Sequence, residues 1–405
     1  MEELFDIPNE FLEPLFPCFT LLKRCNIVIF GKKKSFLAEH WRSFYIILCV
    51  FLYHTSLTVS LVTKVASGNL ELVELAYIVS IYIICFQSIL KAYIVISNRK
   101  AIRTLIIQLG RSWETVDLTE MQINKKNALL KRLKFCYTVF YWMNIIGSWQ
   151  YIMAPLLETV FRKYILQQEC GFLLPFSCSF PFDPSGNWMR YIGAYIFETY
   201  SMLRIVYSYL GSEFLMITLC SHLSTQFTLL SEELLNIKPK KNDISEENIE
   251  IIKQIVRKQQ NLLCLSQQLD DIFSKMIFVN LTSAKISIGF FAFSAKVAHG
   301  AFNMANNVVA VVALVLPLFN LCYYGELLRE TSSSLADSAY NHHWYHGGKK
   351  YQKLIQFHQF QICLYVITIK KTVQVRVGIA HEGFRTIIYK NHKNMSVFKV
   401  KFNIT

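Results

Sequence analysis

Charge is scarce in this chain. Of its 405 residues only 17% are Asp, Glu, Lys or Arg, against roughly 25% in an ordinary soluble protein. Hydrophobic residues make up 53%. The length alone would allow two or three soluble domains, but that shortage of charge argues against them. Catalytic signatures are missing as well. No phosphate-binding loop, nucleophile triad or zinc-protease motif occurs, and the 11 Cys are scattered without metal-ligand spacing. The run "HHWYHGG" sets no fourth ligand, so His342, His343 and His346 read as interfacial or solvated. No enzyme activity, metal or cofactor is expected. The start, "MEELFDIPNEFLEPLF", has no basic stretch ahead of an apolar core. The first transmembrane helix is therefore expected to serve as the insertion signal. No internal repeat is visible, which weighs against a secondary transporter.

The residues that are present fit a bilayer. Phe (31) and Tyr (21) are heavily used, as expected where rings line apolar interiors or sit at membrane interfaces. The formal charge is +14. Its basic residues alternate with apolar spans and form no single stripe, which favours a membrane over nucleic acid. Cys49, Cys85, Cys136, Cys220 and Cys322 lie in apolar runs and read as small core residues. Spans long enough to cross hydrocarbon, about 20 apolar residues, fall at 43–62, 74–97, 135–157, 190–220, 274–298 and 304–325. The fourth and fifth carry Glu198, Arg204, Glu213 and Lys285. A charge inside a span costs about 2.5–3.5 kcal/mol, so Glu198, Arg204 and Lys285 are expected to face protein or water. A seventh span is weak: only 360–369 is cleanly apolar before Lys370 and Lys371.

Lys and Arg are dense before the first span, between the second and third, between the fourth and fifth, and after the sixth. They are sparse in the other gaps. The positive-inside rule then places the N-terminus in the cytosol, and seven spans place the C-terminus outside. That orientation, and the lack of Asp-Arg-Tyr and Asn-Pro-x-x-Tyr motifs, disfavour a G-protein-coupled receptor. Between the fourth and fifth spans, Ile249, Ile252, Ile255, Leu262, Leu265, Leu269 and Ile272 recur at three- and four-residue steps. They predict an amphipathic helix, packed either on its own subunit or on a neighbour. The resulting division is a cytoplasmic segment 1–42, spans one to four over 43–220 with an outer loop 158–189, and an inner helix 221–273. Spans five and six follow over 274–325, then an inner segment 326–358 and a final segment 359–405.

Three features resemble the insect odorant receptors, a family of seven-span, ligand-gated cation channels of inverted topology. The stretch after the sixth span carries Tyr323, Tyr324, Gly325, Ser334, Ala339, Tyr340, Trp344 and Tyr345, and the family has a polar turn there. The outer loop reads "LPFSCSFPFD", with Leu174, Pro175, Pro181, Phe182 and Asp183 in place. The third feature is the layout of long second outer and inner loops with almost no third outer loop. The family usually has Trp where this chain has Ser179, and the last fifty residues match less well.

The resemblance implies an odorant-specific subunit that assembles with the odorant co-receptor into a heterotetrameric, nonselective cation channel. It would lie in the plasma membrane of an olfactory neuron dendrite. Small volatile odorants would be its ligands, bound by apolar burial plus one or two polar groups. Asn144, Gly147, Ser148 and Tyr151 share one side of the third span. Tyr77, Ser80, Ile81 and Ile84 do so in the second, and Tyr195, Thr199 and Met202 in the fourth. Phe290, Phe291 and Phe302 would complete the wall. The alternative for each is simple helix packing. By position from the end, Val400 and Ile404 would form the gate. Cys170 and Cys178, both in the outer loop, could form a disulfide that stiffens a lid. A gustatory-type receptor channel is the nearest rival reading.

Overall fold

The structure is a computed structural model that describes residues 6–31, 36–68, 72–115, 118–167, 172–176, 178–184, 187–237, 246–297, 301–342, 344–353 and 355. Among these residues all regular structure is helical. Two short helices, α1 (Asn9–Leu12) and α2 (Phe16–Arg24), open the chain. Then come α3 (Phe36–Ala66), α4 (Leu72–Ser97), α5 (Arg99–Arg111) and α6 (Glu120–Val160). The long helices α7 (Trp188–Asn236), α8 (Glu246–Val297) and α9 (Ala301–Asn341) follow. Four stretches among the described residues are long and apolar enough to cross a membrane: Trp41–Ala66 in α3, Ile78–Ser97 in α4, α7 itself, and Ile249–Phe293 in α8. The third and sixth predicted spans lie inside α6 and α9. The seventh lies outside the described residues.

Several helices run past the boundaries that the sequence suggested. α7 has 49 residues, about 74 Å at 1.5 Å per residue, so it extends far beyond a hydrocarbon core of about 30 Å. The amphipathic stretch and the fifth span are one continuous helix, α8, of 52 residues. Its predicted stripe is buried at Ile252, Ile255, Leu262, Leu265, Leu269 and Ile272, with Ile249 half-buried. α9 continues through Gly325, where the resemblance implied a polar turn. There Ser332 and Ser333 donate to the Arg329 carbonyl (2.9 and 2.8 Å), and Ser334 donates to that of Thr331 (2.9 Å). These bonds satisfy the hydroxyls within the helix, so the polar cluster does not end it. At the start of α6, Thr119 and Gln122 form a reciprocal capping box.

Contacts divide the chain into two units. The larger comprises Met1–Leu229 and Gln259–Leu328. Deep inside it, Lys91 of α4 pairs with Glu213 of α7 at 2.5 Å, with both side chains essentially inaccessible. Asn280 of α8 donates to the same carboxylate oxygen at 2.6 Å, and Gln87 donates to Asn280 at 2.7 Å. The Lys91 ammonium also lies 3.6 Å from the centre of the Tyr209 ring. The sequence of α8 carries Asn280-Leu-Thr, a glycosylation pattern, but Asn280 is buried in this network.

The N-terminal segment is part of the same unit. Phe11 stacks on His222 of α7 (4.5 Å) and meets Trp113 edge-on (5.3 Å), while the His222 ring bonds the Phe11 carbonyl (3.0 Å). Lys126 of α6 pairs with Glu10 at 2.9 Å. Gly211 of α7 allows the approach of α2, since a Cβ there would lie 2.8 Å from Leu22. The smaller unit, Leu230–Lys258 and Arg329–Thr405, buries Leu335, Ala339, Tyr351 and Ile355. Lys258 pairs with Glu233 at 2.9 Å, and His342 hydrogen-bonds the Tyr351 hydroxyl. Of the motif residues, Tyr324 and Ala339 are buried, whereas Tyr340 and Tyr345 are exposed.

Breaking a buried ion pair from one side strands the other charge. Lys91→Met is expected to lower stability by about 3–5 kcal/mol, and Lys91→Met with Glu213→Met to recover most of that loss. Melting of the detergent-solubilised chain, followed by size-exclusion fluorescence, reads both. Equal losses in the single and double variants would show that the pair is not what holds these helices.

Candidate functional site

The loop between α6 and α7 folds into the helix bundle. Leu173 donates its amide to Thr159 at the end of α6 (3.1 Å), and the Tyr191 hydroxyl of α7 donates to the Leu173 carbonyl (2.9 Å). The Phe176 amide donates to one oxygen of Glu198 (3.0 Å). Ser56 of α3 donates to the Ser179 carbonyl at 2.6 Å. Three helices therefore hold one short segment. Pro175 and Pro181 supply no amide hydrogen that would need a partner there.

These bonds drive the Phe176 ring into the interior. It is 2% exposed and meets Tyr53 edge-on at 6.1 Å. Tyr53, Leu57, Ile81, Cys85 and Ile205 form a buried cluster with it, and Val50, Tyr82, Cys178, Phe197 and Met202 pack around them. Two predicted ligand residues, Ile81 and Met202, thus come together, joined by Phe176, which the sequence reading passed over. An aromatic layer lies nearby: Phe172 stacks on Tyr191 (4.7 Å) and meets Trp188 edge-on (4.5 Å), and Tyr191 lies 5.6 Å from Tyr195.

The remaining predicted residues divide. The Tyr195 hydroxyl donates to the Ile152 carbonyl of α6, beside half-buried Tyr151. Asn144 and Ser148 are satisfied within α6, donating to the Phe140 and Asn144 carbonyls at 2.8 and 2.7 Å. A Cβ on Gly147 would meet nothing within 4 Å, so open space lies beside that helix face. Ser80 is fully buried and Ile84 half-buried. The Thr199 hydroxyl is buried with no hydrogen-bond partner among the described residues, and so is the second oxygen of Glu198. Phe291 is buried and Phe290 half-buried, both outside the Phe176 cluster. The side chains of Tyr77 and Phe302 lie outside the described residues, as do Val400, Ile404 and Cys170. Burial and the neighbouring Glu198 carboxyl push the Cys178 thiol well above its ordinary range.

Of the four charges noted in the fourth and fifth spans, Glu213 pairs with Lys91 and Glu198 faces the loop amide. Arg204 donates to the Arg24 carbonyl, and Lys285 is partly exposed. Lys91 escaped the sequence reading. The available signal was a lone lysine in the second apolar run and a glutamate in the fourth, a combination that favours pairing.

A helical membrane bundle in which the loop between α6 and α7 packs a ring into the apolar interior is the class these features define. The family model described as 7tm odorant receptor matches residues 71–375. The chain belongs to that family. It is 24% identical to the putative odorant receptor 92a of Drosophila melanogaster over 284 residues, which is 67% of this chain and 66% of the relative. It is 24% identical to odorant receptor 13a of the same species over 198 residues, 48% of this chain and 47% of the relative. The match thus spans about half to two thirds of these curated relatives. The fold is that of the insect olfactory receptor OR5 from Machilis hrabei, with a TM-score of 0.70 at 13% identity over 91% of this chain and 96% of that one. The structure of that receptor in complex with eugenol gives 0.71 at 13% identity, over 94% and 99%.

Phe176→Ala is expected to cost about 3–5 kcal/mol, since it empties a buried site that three helices share. An unchanged melting temperature would show that the loop does not fill the interior in solution.

Proposed function

We propose that the chain is the odorant-specific subunit of an odorant-gated, nonselective cation channel, assembled with the odorant co-receptor in the plasma membrane of olfactory neurons. Its N-terminus faces the cytosol and its C-terminus the outside. The supporting observation is the apolar cluster under the loop that holds Phe176 and Ile81, with Met202 packed against it; the Thr199 hydroxyl, three residues before Met202 on α7, is buried with no hydrogen-bond partner among the described residues. Such a place suits a small, neutral molecule: burial supplies the free energy and one polar atom supplies direction. Family membership and the eugenol complex of a receptor with this fold point the same way.

In this reading the ligand displaces or repositions the Phe176 ring. Gly147, Tyr151 and Tyr195 border the space on the side of α6 and α7, with Ser80, Ile84, Asn144 and Ser148 next to them. Phe290, Phe291, Phe302 and Tyr77 form the outer part of the wall. Val400 and Ile404 carry the gate, and Cys178, a free thiol in the structure, packs against the Phe176 cluster rather than pairing with Cys170. Positive residues before α3 and between α4 and α6 hold the orientation.

Three experiments test this. Co-expression with the co-receptor in oocytes is expected to give odorant-evoked cation currents that are absent when either chain is omitted. Substrate uptake without current would overturn the channel reading. With an active odorant that bears a hydroxyl, Thr199→Val is expected to raise the half-maximal concentration about tenfold, the effect of one lost hydrogen bond. An unshifted dose–response curve would remove Thr199 from the site. An epitope at the N-terminus is expected to stain only after permeabilisation.

A further inference from the structure

The three arginines around one small pocket take no part in the odorant reading. Arg24 follows from α2, Arg42 from the first turns of α3, and Arg204 from α7. With Tyr200, Leu203 and Tyr207 they line a pocket of about 320 Å³. None of the three pairs with a carboxylate among the described residues. Two of them are held in place. Arg204 lies 4.6 Å from the centre of the Tyr200 ring and donates to the Arg24 carbonyl, and Arg24 lies 4.8 Å from the centre of the Tyr207 ring. A guanidinium held over a ring face keeps edge donors available for an oxygen-rich partner, although Arg204 commits one of its own to the Arg24 carbonyl.

The surroundings locate the pocket. Trp41, Phe44 and Tyr45 flank Arg42 and are 73%, 58% and 50% exposed, the pattern of an interfacial aromatic belt. Tyr45 also lies 5.8 Å from Tyr200. Arg204 is sixteen residues into α7, about 24 Å along its axis, near the far edge of a hydrocarbon core of about 30 Å. The pocket therefore opens where α3 enters the bilayer. Gathering three like charges there without a counter-ion is unfavourable unless an anion joins them.

We propose that this pocket binds a phosphate-bearing headgroup, three guanidiniums gripping the phosphate oxygens at the bilayer surface. The leaflet follows from the orientation proposed above and is the cytoplasmic one, where anionic lipids concentrate. The shared chemistry is a phosphate ester, which a membrane phosphoinositide or a soluble inositol phosphate could provide. Arginine is the side chain suited to this ligand, because its fork matches two phosphate oxygens at once.

The test uses the full chain in a neutral detergent, with melting followed against three probes: short-chain phosphatidylinositol bisphosphate, inositol trisphosphate and inorganic phosphate. The expected result is saturable stabilisation by the lipid. Arg42→Gln should weaken it about fivefold, and Arg24→Gln with Arg42→Gln about 25-fold. Arg42 is exposed and makes no contact that the fold requires, so its variant is expected to fold. Lys349→Gln with Lys350→Gln, distant in sequence and exposed, should change nothing. Equal effects of inositol trisphosphate and the lipid, with the same arginine dependence, would support the site and assign it to soluble phosphates. Stabilisation insensitive to Arg24 and Arg42, or lost equally in the lysine control, would overturn the proposal. The readout requires no ion current, so it fails independently of the channel reading.

Discussion

The larger unit depends on one buried charge pair. Lys91 and Glu213 sit where no water reaches them, and an ion taken into such a place alone costs several kcal/mol. The two charges are tolerable only together, with Asn280 donating to the shared Glu213 oxygen and the Tyr209 ring beside the ammonium, while the second Glu213 oxygen has no hydrogen-bond partner among the described residues. The pair therefore sets a register. α4, α7 and α8 can slide or rotate against one another only by stranding a charge in an apolar medium. Hydrophobic packing alone gives no such discrimination between helices in lipid, where the surroundings are as greasy as the partner. The polar cluster specifies which faces meet, and the apolar side chains fill in around it.

Once α7 is fixed, its N-terminal turns present Tyr191 and Glu198 to the loop, and Arg204 further along faces the N-terminal segment. Beyond that, Gly211 and His222 receive Leu22 and Phe11. One rod thus closes the interior beneath the loop and anchors the N-terminal helices. The same helix supplies the Thr199 hydroxyl and the second Glu198 oxygen, both buried and without a hydrogen-bond partner among the described residues.

Much of this was legible in the residues. Apolar runs gave the spans, since their periodicity and length follow directly from hydrocarbon thickness. The stripe from Ile252 to Ile272 gave the amphipathic part of α8, because three- and four-residue spacing has one geometric meaning. Helix ends were less legible. Nothing in the sequence around 221, 274 or 326 says whether a helix leaving the membrane stops or continues, because Ser and Glu serve either outcome. Ser332 to Ser334 look like a turn until their hydroxyls are seen to bond back along the helix. The site was half legible. Ile81 and Met202 stood on predicted faces, but Phe176 belongs to a segment without period. Its position is set by Ser56, Thr159, Tyr191 and Glu198, which lie 14 or more residues away along the chain.

The loop around Phe176 also changes what counts as surface in this protein. Connecting segments ordinarily tolerate insertion and drift because nothing is built upon them. This one lends a ring to the centre of the bundle and has its backbone spoken for by three helices. A residue added between Leu173 and Ser179 would shift a core side chain out of its socket just as surely as a deletion within a helix.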